Sequence, residues 1–358
     1  MAFAKTHQAL VGDDVNGKYR LDEMSLPSPV AGTLLCKVAA IALNPADWKM
    51  IDFSATEGSI GGNDFAGEVI QVGEGQNRFK VGDRVFALTF GLNPSDKTTG
   101  SFGEYALATA DLACRIPDWM SYEEACTFGV AVGSCGGALY HSLKLPMPDQ
   151  PTRKPFYVLV SGGATATGTI AIQLLKASGL LPIATCSPEN EEMVKERGAI
   201  ATFDYRSPTC GIEIRNFTNN ELAHVLDCVT AAETMKMCYE AIGTNGGSYI
   251  ALDPFATHVQ YSRRDIVAKW VMIYSLFGKP VKLKGVYGRP ATPADRQFAR
   301  AWFALAEQLI EDGRLKAHPI EIRSGGLAGT VNGIEDLRKG RVKARKLVYP
   351  LNDNGTLV

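Results

Sequence analysis

The chain reads as an α/β protein of two parts, a β-rich domain and a doubly wound parallel sheet, and three observations predict that class. First, the apolar run Phe156–Ser161 ends in Gly162-Gly163-Ala164-Thr165-Ala166-Thr167-Gly168 and passes directly into a helical pattern, Thr169–Lys176. A second apolar run follows at Leu181–Cys186, so strand, glycine turn, helix and strand form one βαβ unit. Second, residues 1–125 carry short, heavily punctuated β-type stretches at the spacing of a barrel or sandwich. Third, β-type sequence returns at Pro319–Arg323 and Leu347–Tyr349, which predicts that the tail rejoins the first domain.

The individual elements follow in order. Leu34–Leu43 alternates and then turns through Asn44-Pro45, Phe65–Val72 closes at Gly73, and the turn Lys80–Asp83 feeds a strand over Arg84–Ala87. Ser121 with Glu124 three residues later is a capping-box signature, and 134–143 reads as a further helix. A polar, proline-bearing connector, Pro146–Pro155, precedes the parallel sheet. Its strands are predicted at 156–161, 181–186, 201–204, 223–227 and 247–251. Helices are predicted at Glu189–Arg197, Thr230–Ala241 and Arg296–Asp312, with glycine after each end to take the left-handed cap.

Bulk composition narrows the function. At 358 residues and 46% apolar content the chain can bury two cores. A net charge of −1 with interspersed signs offers no field for nucleic acid. No stretch has the length of a membrane span, and residues 1–20 lack the order of a secretion signal, so a soluble cytoplasmic protein is expected. Eight scattered cysteines without a C-x-x-C pair predict reduced thiols, and the five isolated histidines predict no metal site.

The glycine loop is where a diphosphate would sit on a helix N-terminus. Its G-x-G-x-x-G spacing is incomplete, with Thr165 and Ala166 where a further glycine pair is usual. Ala164, Thr165, Ala166 and Thr167 would then offer backbone N–H groups and two hydroxyls to the diphosphate; alternatively the threonines only cap the helix. The second strand ends in Thr185-Cys186-Ser187 without the acidic residue that accepts an NAD ribose, and Tyr205-Arg206 follows the third strand. Hydroxyls with a guanidinium suit a 2′-phosphate, so NADPH is the expected cofactor. Glu189 is the counter-argument, read here as the start of the next helix.

Several blocks occur in order: Asn44-Pro45-Ala46-Asp47-Trp48-Lys49, Gly62-Asn63-Asp64-Phe65-Ala66-Gly67-Glu68-Val69, Val81–Val85 and Gly100-Ser101-Phe102-Gly103-Glu104-Tyr105. With the βαβ unit they resemble the zinc-independent quinone-reductase branch of the medium-chain dehydrogenase/reductase superfamily. That resemblance implies a GroES-like domain over 1–126 and 288–358 around a Rossmann domain over 127–287. The loop at 162–167, Ala184–Asn190, Phe203–Arg206, the Pro146–Pro155 connector, Tyr287–Pro290, Glu311–Leu315 and His318-Pro319 are similar to the trans-acting enoyl reductases of fungal polyketide synthases. It implies hydride transfer from NADPH to the β-carbon of an α,β-unsaturated acyl thioester held by a polyketide synthase carrier domain, by a monomer. A stand-alone quinone or alkenal reductase remains the alternative, and a nucleotide-binding protein without turnover a third reading.

The resemblance also assigns residues. The superfamily's alcohol dehydrogenases ligate zinc at places held here by Asp47 and Asn63-Asp64, so alcohol oxidation would lack its Lewis acid. Lys49, following a turn, would orient the nicotinamide ribose or support the enolate, with Ala46, Asp47 and Trp48 beside the cofactor. Ser187, Pro188, Glu189, Asn190, Tyr205, Arg206, Leu252, Asp253, Lys343 and Ala344 complete the expected cofactor contacts. Gly133, Ser134 and Cys135 would line the cleft, with Cys135 as a wall residue and not a nucleophile. Tyr274 and Phe277 would shape the acyl pocket or simply pack in a core. The α-carbon proton donor stays open between solvent water and Tyr140 or His141.

Overall fold

The structure is a computed structural model that describes residues 5–351. The chain divides into two compact units, the first drawing on residues 1–133, 274–311 and 317–358, the second on 134–273 and 312–316.

In the first unit, β1 (Thr6–Asp13) and β2 (Lys18–Ser25) form an antiparallel hairpin. The larger sheet combines β3 (Thr33–Ala42), β4 (Asp64–Val72), β5 (Arg84–Leu88), β6 (Tyr105–Thr109) and β7 (Ala113–Arg115) with β14 (Ile320–Ile322) and β15 (Lys346–Pro350). Its order is β14-β15-β3-β4-β5-β7, with β6 also on β3, so the tail strand β15 pairs antiparallel with β3. The tail therefore rejoins the β-rich domain as expected. Phe65, Phe86, Phe102 and Phe128 are fully buried in its core.

Helix α1 (Pro45–Ser54) starts where the sequence showed only a turn, and Lys49 lies within it. Proline at the first helical position is preorganised for that start. Ser121 caps α2 (Tyr122–Ala125) as predicted, accepting from the Glu124 N–H at 3.1 Å. α3 (Phe128–Cys135) begins six residues before the expected helix and continues as a π-helical turn over Gly136–Ser142.

In the second unit β8 (Tyr157–Ser161), β9 (Leu181–Cys186), β10 (Ala201–Asp204), β11 (His224–Asp227), β12 (Gly247–Ala251) and β13 (Ile266–Trp270) form one parallel sheet, ordered β10-β9-β8-β11-β12-β13. This is the doubly wound order, and it reverses direction between β8 and β11. The connecting helices are α4 (Ala166–Ala177), α5 (Glu191–Glu196), α6 (Cys210–Phe217), α7 (Ala232–Ala241) and α8 (Thr257–Gln260). The edge strand β13 was not anticipated, because Arg263-Arg264-Asp265 and Lys269 give it no continuous apolar run.

α9 (Pro293–Glu311) buries Ala299, Trp302, Phe303, Ala306, Leu309 and Ile310, a helical stripe. The Trp302 Nε1–H donates to the Val132 carbonyl at 2.8 Å, and the Arg78 guanidinium pairs with Glu307 at 2.5 Å. α9 thus packs within the first unit, which also takes in the segment from Tyr274. α10 (Gly326–Arg338) completes the first unit. The eight cysteines are all free thiols. Among the described residues no helix is long and apolar enough to cross a membrane.

Candidate functional site

In the second unit the glycine loop joins β8 to α4 at the point where the sheet order reverses, the place where open α/β sheets bind ligands. Gly162 holds φ +80°, which a residue with a side chain rarely adopts. A Cβ on Gly168 would lie 2.3 Å from the Gly162 carbonyl oxygen, so the backbone folds back on itself too closely for any other residue. The loop thus keeps the tight turn and the close approach of a dinucleotide loop with fewer glycines, and a diphosphate fits its cradle. The Thr165 hydroxyl donates to the Gly162 carbonyl at 2.8 Å and accepts from the Gly168 N–H at 3.0 Å. It is a helix cap; what remains for a diphosphate is the first-turn N–H groups of α4, with no intrahelical partner, and Thr167. Cys228, Val229 and Thr230, which sequence reasoning missed, follow β11 across the reversal, and Thr230 has φ +61°.

At the end of β9, Ser187 is buried and accepts from the Asn190 side-chain amide at 2.9 Å. Glu189 lies in a single 3-10 turn, Pro188–Asn190, ahead of α5. Its carboxylate pairs with the Arg206 guanidinium at 2.9 Å, and that guanidinium lies 5.6 Å from the Tyr205 ring. Hydrogen bonding from its own backbone N–H, Ser187 and Arg206 holds the Glu189 carboxyl below its usual range. The structure thus brings Ser187, Glu189, Asn190, Tyr205 and Arg206 to one strand-end cluster. Leu252 and Asp253 follow β12, where the Leu252 N–H donates to the Thr230 hydroxyl at 3.4 Å.

The Cys135 thiol is fully buried, faces the Thr167 carbonyl at 3.5 Å, and is pushed well up by burial. It has no thiolate character, so it is no nucleophile. Ser134 is also buried, and Gly133 is the last residue of the first unit before the boundary. The Tyr140 and Ser178 hydroxyls share a hydrogen bond at 3.0 Å, and burial pushes the Tyr140 hydroxyl well up.

The first unit holds a buried polar cluster assembled from distant segments. Lys346 of β15 lies 2.7 Å from Asp64 of β4, with exposures of 3% and 0%. The Lys346 ammonium also donates to Asn44 Oδ1 at 2.7 Å, and Asn44 Nδ2 donates to Asp64 Oδ2 at 2.9 Å. The second Asp64 oxygen accepts the Val130 N–H at 2.6 Å. Beside this triad, Asp47 accepts the Asn44 N–H at 2.7 Å and the Asn63 side-chain amide at 2.7 Å. Burial pushes the Asp47 carboxyl up to about 7 against those hydrogen bonds. Asp47, expected at the cofactor, therefore spends its side chain inside the protein. Lys49, two residues on, is half-buried with its ammonium 5.8 Å from the Trp48 ring. The Tyr274 hydroxyl donates to Asn63 Oδ1 at 2.8 Å, and the ring stacks on Phe90 at 3.9 Å. Lys343 is exposed and Ala344 has φ +49° in the turn before β15.

These donors do not suit the zinc of the superfamily's alcohol dehydrogenases. One position carries an amide, and the carboxylate beside it is neutralised by an ammonium, so a second cation would meet repulsion and find few free lone pairs. Among the described residues the one carboxylate group with metal-like spacing is Asp13, Asp14 and Glu57, which is partly to fully exposed and carries the Arg20–Glu57 ion pair at 2.6 Å.

Comparison with known proteins matches this geometry. Residues 30–118 match the alcohol dehydrogenase GroES-like domain and 166–279 the zinc-binding dehydrogenase family. A trans-enoyl reductase from Gibberella fujikuroi is 53% identical over 345 residues, covering 96% of this chain and 99% of that protein. The chain belongs to the trans-enoyl reductase family. The trans-enoyl reductase grgB of a Penicillium species is 51% identical, covering 97% and 98%. Among solved structures, the CurK enoyl reductase superposes with TM-score 0.73 at 19% identity, covering 97% and 99%. An alcohol dehydrogenase superfamily protein from Novosphingobium aromaticivorans gives 0.78 at 20% identity, covering 97% and 100%. Like them, this trans-enoyl reductase has the medium-chain dehydrogenase/reductase fold, with a GroES-like domain and a parallel Rossmann sheet, and it is an oxidoreductase.

Proposed function

We propose that this enoyl reductase uses NADPH to reduce an α,β-unsaturated acyl thioester carried by a polyketide synthase, working as a cytoplasmic monomer. The observation that carries the reading is the Lys346–Asp64 pair at 2.7 Å, set among the positions where metal ligands would stand. Alcohol oxidation in this superfamily leans on a metal to hold the oxygen; reduction of a conjugated C=C bond does not. Bound NADPH supplies the hydride to the β-carbon. The α4 N-terminus and the Gly162–Gly168 cradle receive its diphosphate, and Tyr205 with Arg206 receives the adenosine 2′-phosphate. The Arg206 fork has donors enough to hold a phosphate while it shares or exchanges Glu189. Lys49, with Ala46 and Trp48 on α1, orients the nicotinamide ribose or supports the enolate oxygen; Tyr274 and Phe277 shape the acyl site.

NADPH oxidation measured with enoyl thioesters on the cognate carrier domain, with free quinones and with NADH in place of NADPH tests this. Carrier-bound enoyl thioester with NADPH is expected to be turned over fastest. Faster quinone turnover would favour a free-standing quinone or alkenal reductase, and a preference for NADH would overturn the cofactor assignment. Light scattering on the eluting protein is expected to give the mass of one chain; a stable dimer would contradict the monomer.

A further inference from the structure

The row of rings in the first unit is held at its edges by hydrogen bonds from one side chain. Tyr274 and Phe90 lie nearly parallel, 5° apart, with centroids at 3.9 Å. The Tyr274 hydroxyl is anchored at its far end, 2.8 Å from Asn63 Oδ1 and 2.9 Å from Met50 Sδ of α1. Asn63 is buried, and both its oxygen and its nitrogen are hydrogen-bonded. Its oxygen accepts from Tyr274 and from the Gly91 N–H at 3.2 Å, while its nitrogen donates to Asp47 Oδ1 at 2.7 Å. Gly91 follows Phe90 directly, so one side chain fixes the backbone beside one ring and the hydroxyl of the other. Through Asp47 the same amide is tied to the helix that carries Lys49. Phe277, the half-buried end of the row, lies 6.2 Å from Phe90.

We propose that Asn63 is a positioning residue for acyl-chain selection: its amide locks the Tyr274–Phe90 pair against α1 and so sets which acyl chains the enzyme accepts. Asn63 touches neither cofactor nor substrate in this role. The inference rests on the reading of the enzyme as an enoyl-thioester reductase. An amide fits where a histidine or a carboxylate would not, since the position demands both an acceptor for two N–H or O–H groups and a donor to a carboxylate.

The test is a double-mutant cycle of Asn63→Ala and Tyr274→Phe, read as kcat and KM for a short unbranched and a longer branched enoyl thioester. Tyr274→Phe removes one oxygen and keeps the ring, so it provides a folded variant even if Asn63→Ala is unstable. Each change is expected to raise KM for the preferred thioester about tenfold and to shrink the preference between the two chains by a similar factor. NADPH affinity is expected to stay within about twofold. The double variant is expected to be no worse than Asn63→Ala alone, because Tyr274→Phe removes only a hydrogen bond that Asn63→Ala has already removed. Unchanged chain preference in folded Tyr274→Phe, or additive losses in the cycle, would overturn the inference alone. Wild-type protein that binds NADPH but reduces no enoyl thioester would overturn it together with the functional reading.

Discussion

The phosphate loop and the buried polar cluster are two solutions to the same problem of holding polar groups in fixed geometry. The loop is largely contiguous: Gly162 to Gly168 supply its turn, its cap and its close approach, and Thr185 at the end of β9 braces it by accepting the Gly162 and Gly163 N–H groups. The cluster is the reverse. Asn44, Asp47, Asn63, Asp64, Tyr274 and Lys346 come from four separate stretches of chain, and its ion pair joins residues 282 apart in sequence. A local device is written in neighbours and tolerates change elsewhere. A long-range device exists only when the whole unit has folded, and each member is exposed to the loss of any other.

The largest expected effect breaks the cluster. Lys346→Met leaves Asp64 buried with one charge uncompensated and is expected to lower unfolding free energy by about 3–5 kcal/mol. Urea titration checks it, and adding Asp64→Asn to Lys346→Met is expected to recover part of the loss. A single-variant loss under about 1 kcal/mol would mean that water reaches the pair.

A smaller effect lies in pH. The folded Asp47 carboxyl titrates near 7 against 3.8 for an ordinary aspartate, so the folded state binds that proton more tightly than the unfolded chain. Unfolding free energy therefore falls as pH rises from about 4 to about 7 and levels off above. The charged groups around Asp47 are Asp64 and Lys346, with Lys346 opposing and Asp64 reinforcing the shift. Asp47→Asn leaves one acceptor oxygen where the Asn44 N–H and the Asn63 amide now use two, yet it is expected to flatten the wild-type decline over that window by about 2 kcal/mol. An identical slope in both proteins would place the titration elsewhere.

The smallest effect belongs to the loop. Thr165→Ala removes a helix cap and is expected to cost about 1 kcal/mol in thermal or urea unfolding, with Thr165→Ser close to wild type. NADPH affinity is expected to change less than about threefold, since the hydroxyl is already consumed within the loop. A much larger loss of affinity would return Thr165 to direct phosphate contact.

Much of the fold was legible because it is locally encoded. The βαβ unit at 156–186, the Ser121–Glu124 cap and the left-handed glycines Gly198 and Gly313 after α5 and α9 are patterns of neighbours and appear; α7 instead is capped at Ile242, and Gly243 takes no left-handed cap. α10 was missed because Gly329 and Gly333 argue against a helix on propensity. A Cβ on Gly333 would lie 2.3 Å from the Tyr349 hydroxyl, so that glycine serves the close packing of α10 on β15. The site divided in the same way. The strand-end group of Ser187, Glu189, Tyr205 and Arg206 was readable from βα turn positions, but the Glu189–Arg206 pairing was not. Asp47 was read by its place in a motif, which could not reveal that its carboxylate turns inward.

By itself the sequence determined the order of strands and helices, the dinucleotide loop and the family, because periodicity, caps and turns act between residues a few positions apart. Only the tertiary structure decided that an ammonium from the tail meets a carboxylate from β4, and that Asn63 joins a tyrosine hydroxyl to a buried acid. Those pairings depend on which strands lie side by side and on the exclusion of water between them. Neither condition leaves a mark at any fixed spacing along the chain.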